Sequence, residues 1–172
     1  MKKLVVSSGL LLTLMGCASH PPMKTVDYVD IERFMGDWYV IANIPTFLEK
    51  GAHNAIESYR LNEDGTIATT FTFYDGGFDG GKKFYRPTGF IVDEETNALW
   101  GMQFIWPIKA DFRIVYLDDE YRVTVIGRQK RDYVWIMARE KTVTEEDWRT
   151  ILDRLDGQGF DRERVVRVPH SP

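Results

Sequence analysis

The chain has 172 residues, with 22 Lys and Arg against 26 Asp and Glu and a formal net charge of −4. An acidic balance argues against a nucleic-acid partner, because such binding depends on neutralising phosphates with Lys and Arg. A single cysteine excludes an intramolecular disulfide and a multi-thiolate metal site, and the length suits one domain around one core.

Lys2 and Lys3 precede an apolar run from Leu4 to Met15. That run suits a signal peptide and falls short of the roughly 20 apolar residues a membrane span needs. Leu14-Met15-Gly16-Cys17 resembles the lipobox of bacterial lipoproteins. The resemblance implies a signal peptide over residues 1–16 and lipid on Cys17 as the first mature residue. An ordinary signal peptide with an incidental cysteine is the alternative. Each buried CH₂ adds about 0.8 kcal/mol, so two or three acyl chains hold firmly where one holds only marginally. Ala18 follows the cysteine in place of Asp, which by resemblance to proteobacterial lipoproteins implies the outer membrane of a Gram-negative cell, facing the periplasm. Loss of Lys2 and Lys3 takes the mature charge to about −6. Residues 17–27 then read as a lipidated N-terminus and a polar, proline-bearing tether to a domain over 28–172.

Eight β-type runs come next, at 38–44, 54–61, 66–74, 83–92, 98–106, 112–117, 121–127 and 132–139. Short Asp-, Asn- and Gly-rich turns join them, as in an antiparallel up-and-down meander. Eight such strands can close into an all-β barrel, a calyx without exposed edges. The period then changes. Trp148, Ile151, Leu152 and Leu155 recur at helical spacing, with Thr144 as N-cap, Asp147 answering it and Gly157 as the stop. The acids and arginines mixed on its polar face favour docking outside the barrel over lying on a membrane. RVVRV at 164–168 reads as a short further strand.

Side chains of one parity share a face of a strand. Trp100, Met102 and Phe104 form one parity of their run, as do Phe112, Ile114 and Tyr116, and Tyr133, Trp135 and Met137. The candidate ligand-binding set is Glu57, Tyr59, Phe71, Phe73, Trp100, Met102, Phe104, Ile114, Tyr116, Val123, Trp135 and Met137. Rings and Met offer an adaptable apolar surface to a ligand, but the same pattern also suits a solid core. Glu57 inside a calyx is costly unless it is paired or near water, which places it toward the open mouth or against an internal Arg.

These residues resemble the lipocalins, specifically the bacterial outer-membrane lipocalins, over about 30–170. The motifs are Gly36-Asp37-Trp38 opening the first strand, the acidic turn Tyr116-Leu117-Asp118-Asp119-Glu120-Tyr121, and Arg139 ending the eighth. The resemblance implies that Trp38 closes the barrel floor, Arg139 stacks on it and Gly36 lets the chain pack closely there. The sequence departs from that bacterial branch at Trp106-Pro107-Ile108-Lys109, in the Gly-rich 75–81, and at Glu57, where a small apolar residue is usual.

Chemistry is sparse elsewhere. With the tether and the C-terminal tail set aside, Ser58 and His53 are the Ser and His left on the folded body, no Gly-x-Ser-x-Gly occurs, and three scattered histidines do not make a metal site. The stretch 75–81 precedes a strand, so it reads as a hairpin and not a phosphate cradle. Arg128-Gln129-Lys130-Arg131 reads as a solvated turn. No enzyme activity, cofactor or metal is expected. The expected function is a lipid-anchored envelope binding protein that stores or carries a fatty acid, a lysophospholipid or another small amphiphile. A filled barrel acting through an envelope protein–protein surface is the alternative, and a homodimer around the mouth is left open.

Overall fold

The computed structural model describes residues 20–172, so Cys17 and the expected signal peptide lie outside the described residues. A short helix α1 (Ile31–Phe34) leads into β1 (Gly36–Ile44), β2 (Ala52–Leu61), β3 (Ile67–Asp75), β4 (Lys82–Tyr85), β5 (Thr88–Ile91), β6 (Leu99–Ile105), β7 (Ile108–Leu117), β8 (Val123–Gly127) and β9 (Val134–Ala138). Helix α2 (Glu145–Gln158), a 3₁₀ turn at Arg162–Arg164 and β10 (Val166–Arg167) complete the chain.

Neighbouring strands pair antiparallel in sequence order, and β1 pairs with β9 from Tyr39 opposite Ala138 to Ile44 opposite Val134. That last pairing closes the sheet into an eight-stranded barrel. The fourth strand is in two pieces because Pro87, which lacks an N–H, interrupts the ladder. β4 pairs with β3 at Phe71–Tyr74, and β5 pairs with it at Ile67 and Ala68. β2 leaves β1 beyond Tyr39, and β10 pairs beside Ala42 and Asn43.

Two cores lie on either side of the barrel wall. The inner one contains Phe34, Trp38, Tyr59, Phe73, Trp100, Ile114 and Met137. The outer one joins Ile41, Val115, Val123, Val125, Val134 and Ile136 to Ile151 and Leu155 of α2. Strand alternation feeds both, most plainly in β9, where Trp135 and Met137 face inward and Val134 and Ile136 meet the helix. Thr144 caps α2, its hydroxyl accepting from the Asp147 N–H at 3.0 Å. The helix runs through Gly157 and stops two residues later at Gly159, which takes the left-handed conformation at φ 82°. Gly157 is therefore not the stop; the residue that must adopt positive φ is.

The expected tether is shorter than residues 17–27. From His20 onward the chain lies docked along the barrel. Met23 is buried over Gly127, where any larger residue would strike Phe160 and the Met23 sulfur. Arg131 donates to the Pro21 carbonyl at 2.9 Å and to the Gln158 carbonyl at 3.0 Å. Arg131 is thus a buried strut between the N-terminal segment and α2, and of the expected solvated turn 128–131 only Lys130 is fully exposed.

Candidate ligand-binding site

The floor is built where β1 begins. Gly36 takes φ 94°, and a Cβ there would sit 3.4 Å from Arg139 Nη1. The Arg139 guanidinium lies 3.8 Å from the Trp38 ring centroid. It donates to the carbonyls of Arg33, Met35 and Asp37 at 2.8–2.9 Å, satisfying the orphan acceptors at the end of α1. Trp38 Nε1 donates to the Phe34 carbonyl at 2.9 Å.

Above this plug the lower barrel is solid. Phe34 rises from α1 to within 5.5 Å, between centroids, of both Tyr59 and Trp100. Trp100 in turn stacks on Phe112 at 5.1 Å and 12°. The Tyr59 hydroxyl is buried with no partner among the described residues.

The upper barrel is hollow. A cavity of about 220 Å³ opens there, walled by Phe71, Tyr85, Met102, Phe104, Ala110, Phe112, Tyr133 and Trp135 and reached past Thr46–Leu48. It lies below the roughly 300–1,000 Å³ of a drug-sized cleft, which favours one alkyl chain over a fused-ring ligand. Phe47 in its wall is 86% exposed, and Ile105 and Trp106, which follow the cavity-lining Phe104 in sequence, are 72% and 81% exposed.

Four acidic or basic side chains face this space: Glu49, Glu57, Asp111 and Arg128. Glu49 is buried and accepts from Trp135 Nε1 at 3.0 Å and from the Thr46 N–H at 2.9 Å. Asp111 accepts from Arg113 Nε at 2.9 Å and from the Gln129 N–H at 2.6 Å. Arg128 pairs with Asp132 at 3.4 Å and lies over Tyr133 at 5.2 Å. Glu57 stands between Trp38 of β1 and Phe71 of β3 in the ladder. Burial pushes its carboxyl up to about 8, and the charge of Glu49 adds to the effect.

Of the candidate ligand residues, Glu57, Phe71, Met102, Phe104 and Trp135 line the cavity. Tyr59, Trp100, Ile114 and Met137 belong to the inner core without lining it, and Phe73 packs against Phe71 at 5.2 Å. Tyr116 and Val123 belong to the outer core, on the wrong side of the wall. The cause is a bulge between Ile114 and Tyr116 in the β7–β8 ladder, which inserts a residue and reverses the facing of the rest of β7. Tyr116 therefore sits under Arg154 of α2, 5.0 Å from its guanidinium, while Leu117 packs on the inner core. Expected inward, Val123 faces α2 because Ile126 takes the inner position on β8.

Several lining residues were outside the candidate set. Phe112 and Tyr133 share parities already read as inward. Tyr85 was obscured by the broken strand. Glu49 comes from the 45–51 loop, where no periodicity points to it.

Residues 29–170 match the family of lipocalin-like domains. The chain belongs to the lipocalin-like family. This lipocalin is 29% identical over 158 residues to the outer membrane lipoprotein Blc of Citrobacter freundii, covering 90% of this chain and 89% of the relative. To Blc of Escherichia coli K12 it is 25% identical over 171 residues, covering 96% and 94%. The temperature-induced lipocalin-1 of Arabidopsis thaliana is 28% identical over 158 residues, covering 87% and 83%. Among solved structures, insecticyanin of the tobacco hornworm Manduca sexta superposes with a TM-score of 0.71 at 15% identity, covering 88% and 86%. That similarity concerns the fold alone.

Proposed function

We propose that this lipocalin is a binding protein, not an enzyme, that holds one single-chain amphiphile, such as a fatty acid or lysophospholipid, in the upper half of its barrel. The observation that carries the reading is the cavity: about 220 Å³ of apolar-walled space above a plugged floor, open at a greasy rim. Apolar burial supplies the affinity at about 25 cal/mol per Å² removed from water, and the few polar groups inside select the headgroup.

Two features support an envelope location. Relatives sharing most of its length are named outer membrane lipoproteins, and Leu14-Met15-Gly16-Cys17 has the lipobox pattern. His20 lies beside Gln129, whose amide reaches the carbonyls of His20 and Pro21, in the same turn as the cavity-lining Arg128. Lipid on Cys17 would thus hold the mouth toward the bilayer, so that an amphiphile need not cross much water.

Mass spectrometry of the folded domain, purified from cells without its anchor, tests the reading. One co-purifying single-chain amphiphile per protein is the expected result. A ligand-free protein that also shows no saturable response to a panel of lipids would favour the filled, interaction-surface reading.

A further inference from the structure

Of the acidic side chains facing the cavity, Glu57 is the one without a hydrogen bond or ion pair among the described residues. Glu49 and Asp111 accept hydrogen bonds, and Arg128 pairs with Asp132 through Nη1 while its buried Nε has no partner among the described residues. The titratable groups around it are Glu49 of the 45–51 loop, Tyr59 two residues on in β2, Tyr85 on β4, Asp111 on β7, and Arg128 and Tyr133 between β8 and β9. An apolar residue at this point would be cheaper, since a half-buried carboxyl without a partner opposes folding. Three carboxyls, Glu49, Glu57 and Asp111, thus line a pocket with one cation, Arg128, which is engaged with Asp132 through Nη1.

The rim has the opposite character. Phe47, Phe104, Ile105, Trp106 and Ile108 are all exposed around or beside the entrance. An amphiphile lying tail-inward would place its charged end among these apolar side chains and its methyl end against a carboxyl. One lying head-inward meets complementary groups at both ends.

We infer that the cavity is selective for an amphiphile with an ammonium head, which enters first and pairs with Glu57 and Glu49 while its alkyl chain runs out along the apolar rim. This rests on the binding-protein reading above and narrows its ligands, disfavouring a fatty acid. The rings of Phe71, Tyr85 and Trp135 add faces that attract a cation. A carboxylate head at the same depth would meet two acids. Binding of the cation favours the ionised form of Glu57, so below pH 8 the complex forms with release of that proton to solvent, and affinity rises with pH.

The test titrates decyltrimethylammonium, whose charge does not depend on pH, alongside decanoate and decanol, from pH 6 to 9. Tryptophan fluorescence reads affinity, and calorimetry in two buffers of different ionisation enthalpy reads proton release. The cation is expected to bind up to about tenfold more tightly per pH unit between 6 and 8, and to level off above. Decanoate is expected to bind more weakly than the cation at pH 8 and to weaken further as pH rises. Glu57→Gln should abolish the slope and the proton release, with near-UV circular dichroism showing that the variant is folded. A flat or falling cation profile, or decanoate binding more tightly than the cation at pH 8, overturns the inference and leaves the binding-protein reading intact. If none of the three binds, both fall.

Discussion

The guanidinium of Arg139 lies 3.8 Å over the Trp38 ring and ties four backbone carbonyls of residues 33–37 to the end of β9. One side chain thus joins the first strand, the last strand and the plug helix. Replacing it by Ala removes the cation–π contact and leaves carbonyls without donors, a loss of about 2–4 kcal/mol. Lys keeps the charge but not the fork of donors, so Arg139→Lys should recover less than half of that. Urea unfolding of both variants measures this, and a Lys variant equal to wild type would contradict the assignment.

Glu57 makes stability depend on pH. Its carboxyl ionises near the ordinary value of 4.5 when unfolded, but burial and Glu49 raise it to about 8 in the folded protein. Between these values the folded state holds a proton that the unfolded state has lost, so stability falls as pH rises from about 5 to 8 and is level above. Glu57→Gln removes this dependence. The variant should gain on wild type by roughly a few kcal/mol between pH 5 and pH 8.5, read from denaturant midpoints at the two pH values. An unchanging difference would mean that the carboxyl reaches solvent.

Tyr116 and Met102 lie on opposite sides of the barrel wall. Tyr116→Ala takes away a support of α2 and should cost about 1–3 kcal/mol while leaving lipid affinity within twofold. Met102→Ala changes the cavity wall and should alter affinity as well as stability. Paired unfolding and fluorescence titrations separate the two, and a Tyr116 variant that loses ligand would place that ring inside.

Most of the architecture was legible because alternation and turn composition are local. Ile67, Thr69, Phe71 and Phe73 alternate without interruption along β3, and all are buried. Trp148 to Leu155 switch period and form the docked helix as expected. The hidden features were non-local. The bulge at Ile114–Tyr116 depends on how β7 meets β8, and one inserted residue reverses every later facing on the strand. Glu49 is brought into the cavity by a loop that is anchored only once Trp135 is in place. Arg131 looks like any loop arginine until the N-terminal segment and α2 converge on it.

The proposed function requires the space beside Ala110 to take up an alkyl chain. A titration of lysophospholipid, followed by tryptophan fluorescence, tests it directly in the wild type and in Ala110→Trp, whose indole would fill the hollow and not a packed core. One saturable site per wild-type chain and at least a tenfold loss of affinity in the variant are expected, with folded circular dichroism retained. Equal binding by the two proteins, or no saturable change in the wild type, would contradict it.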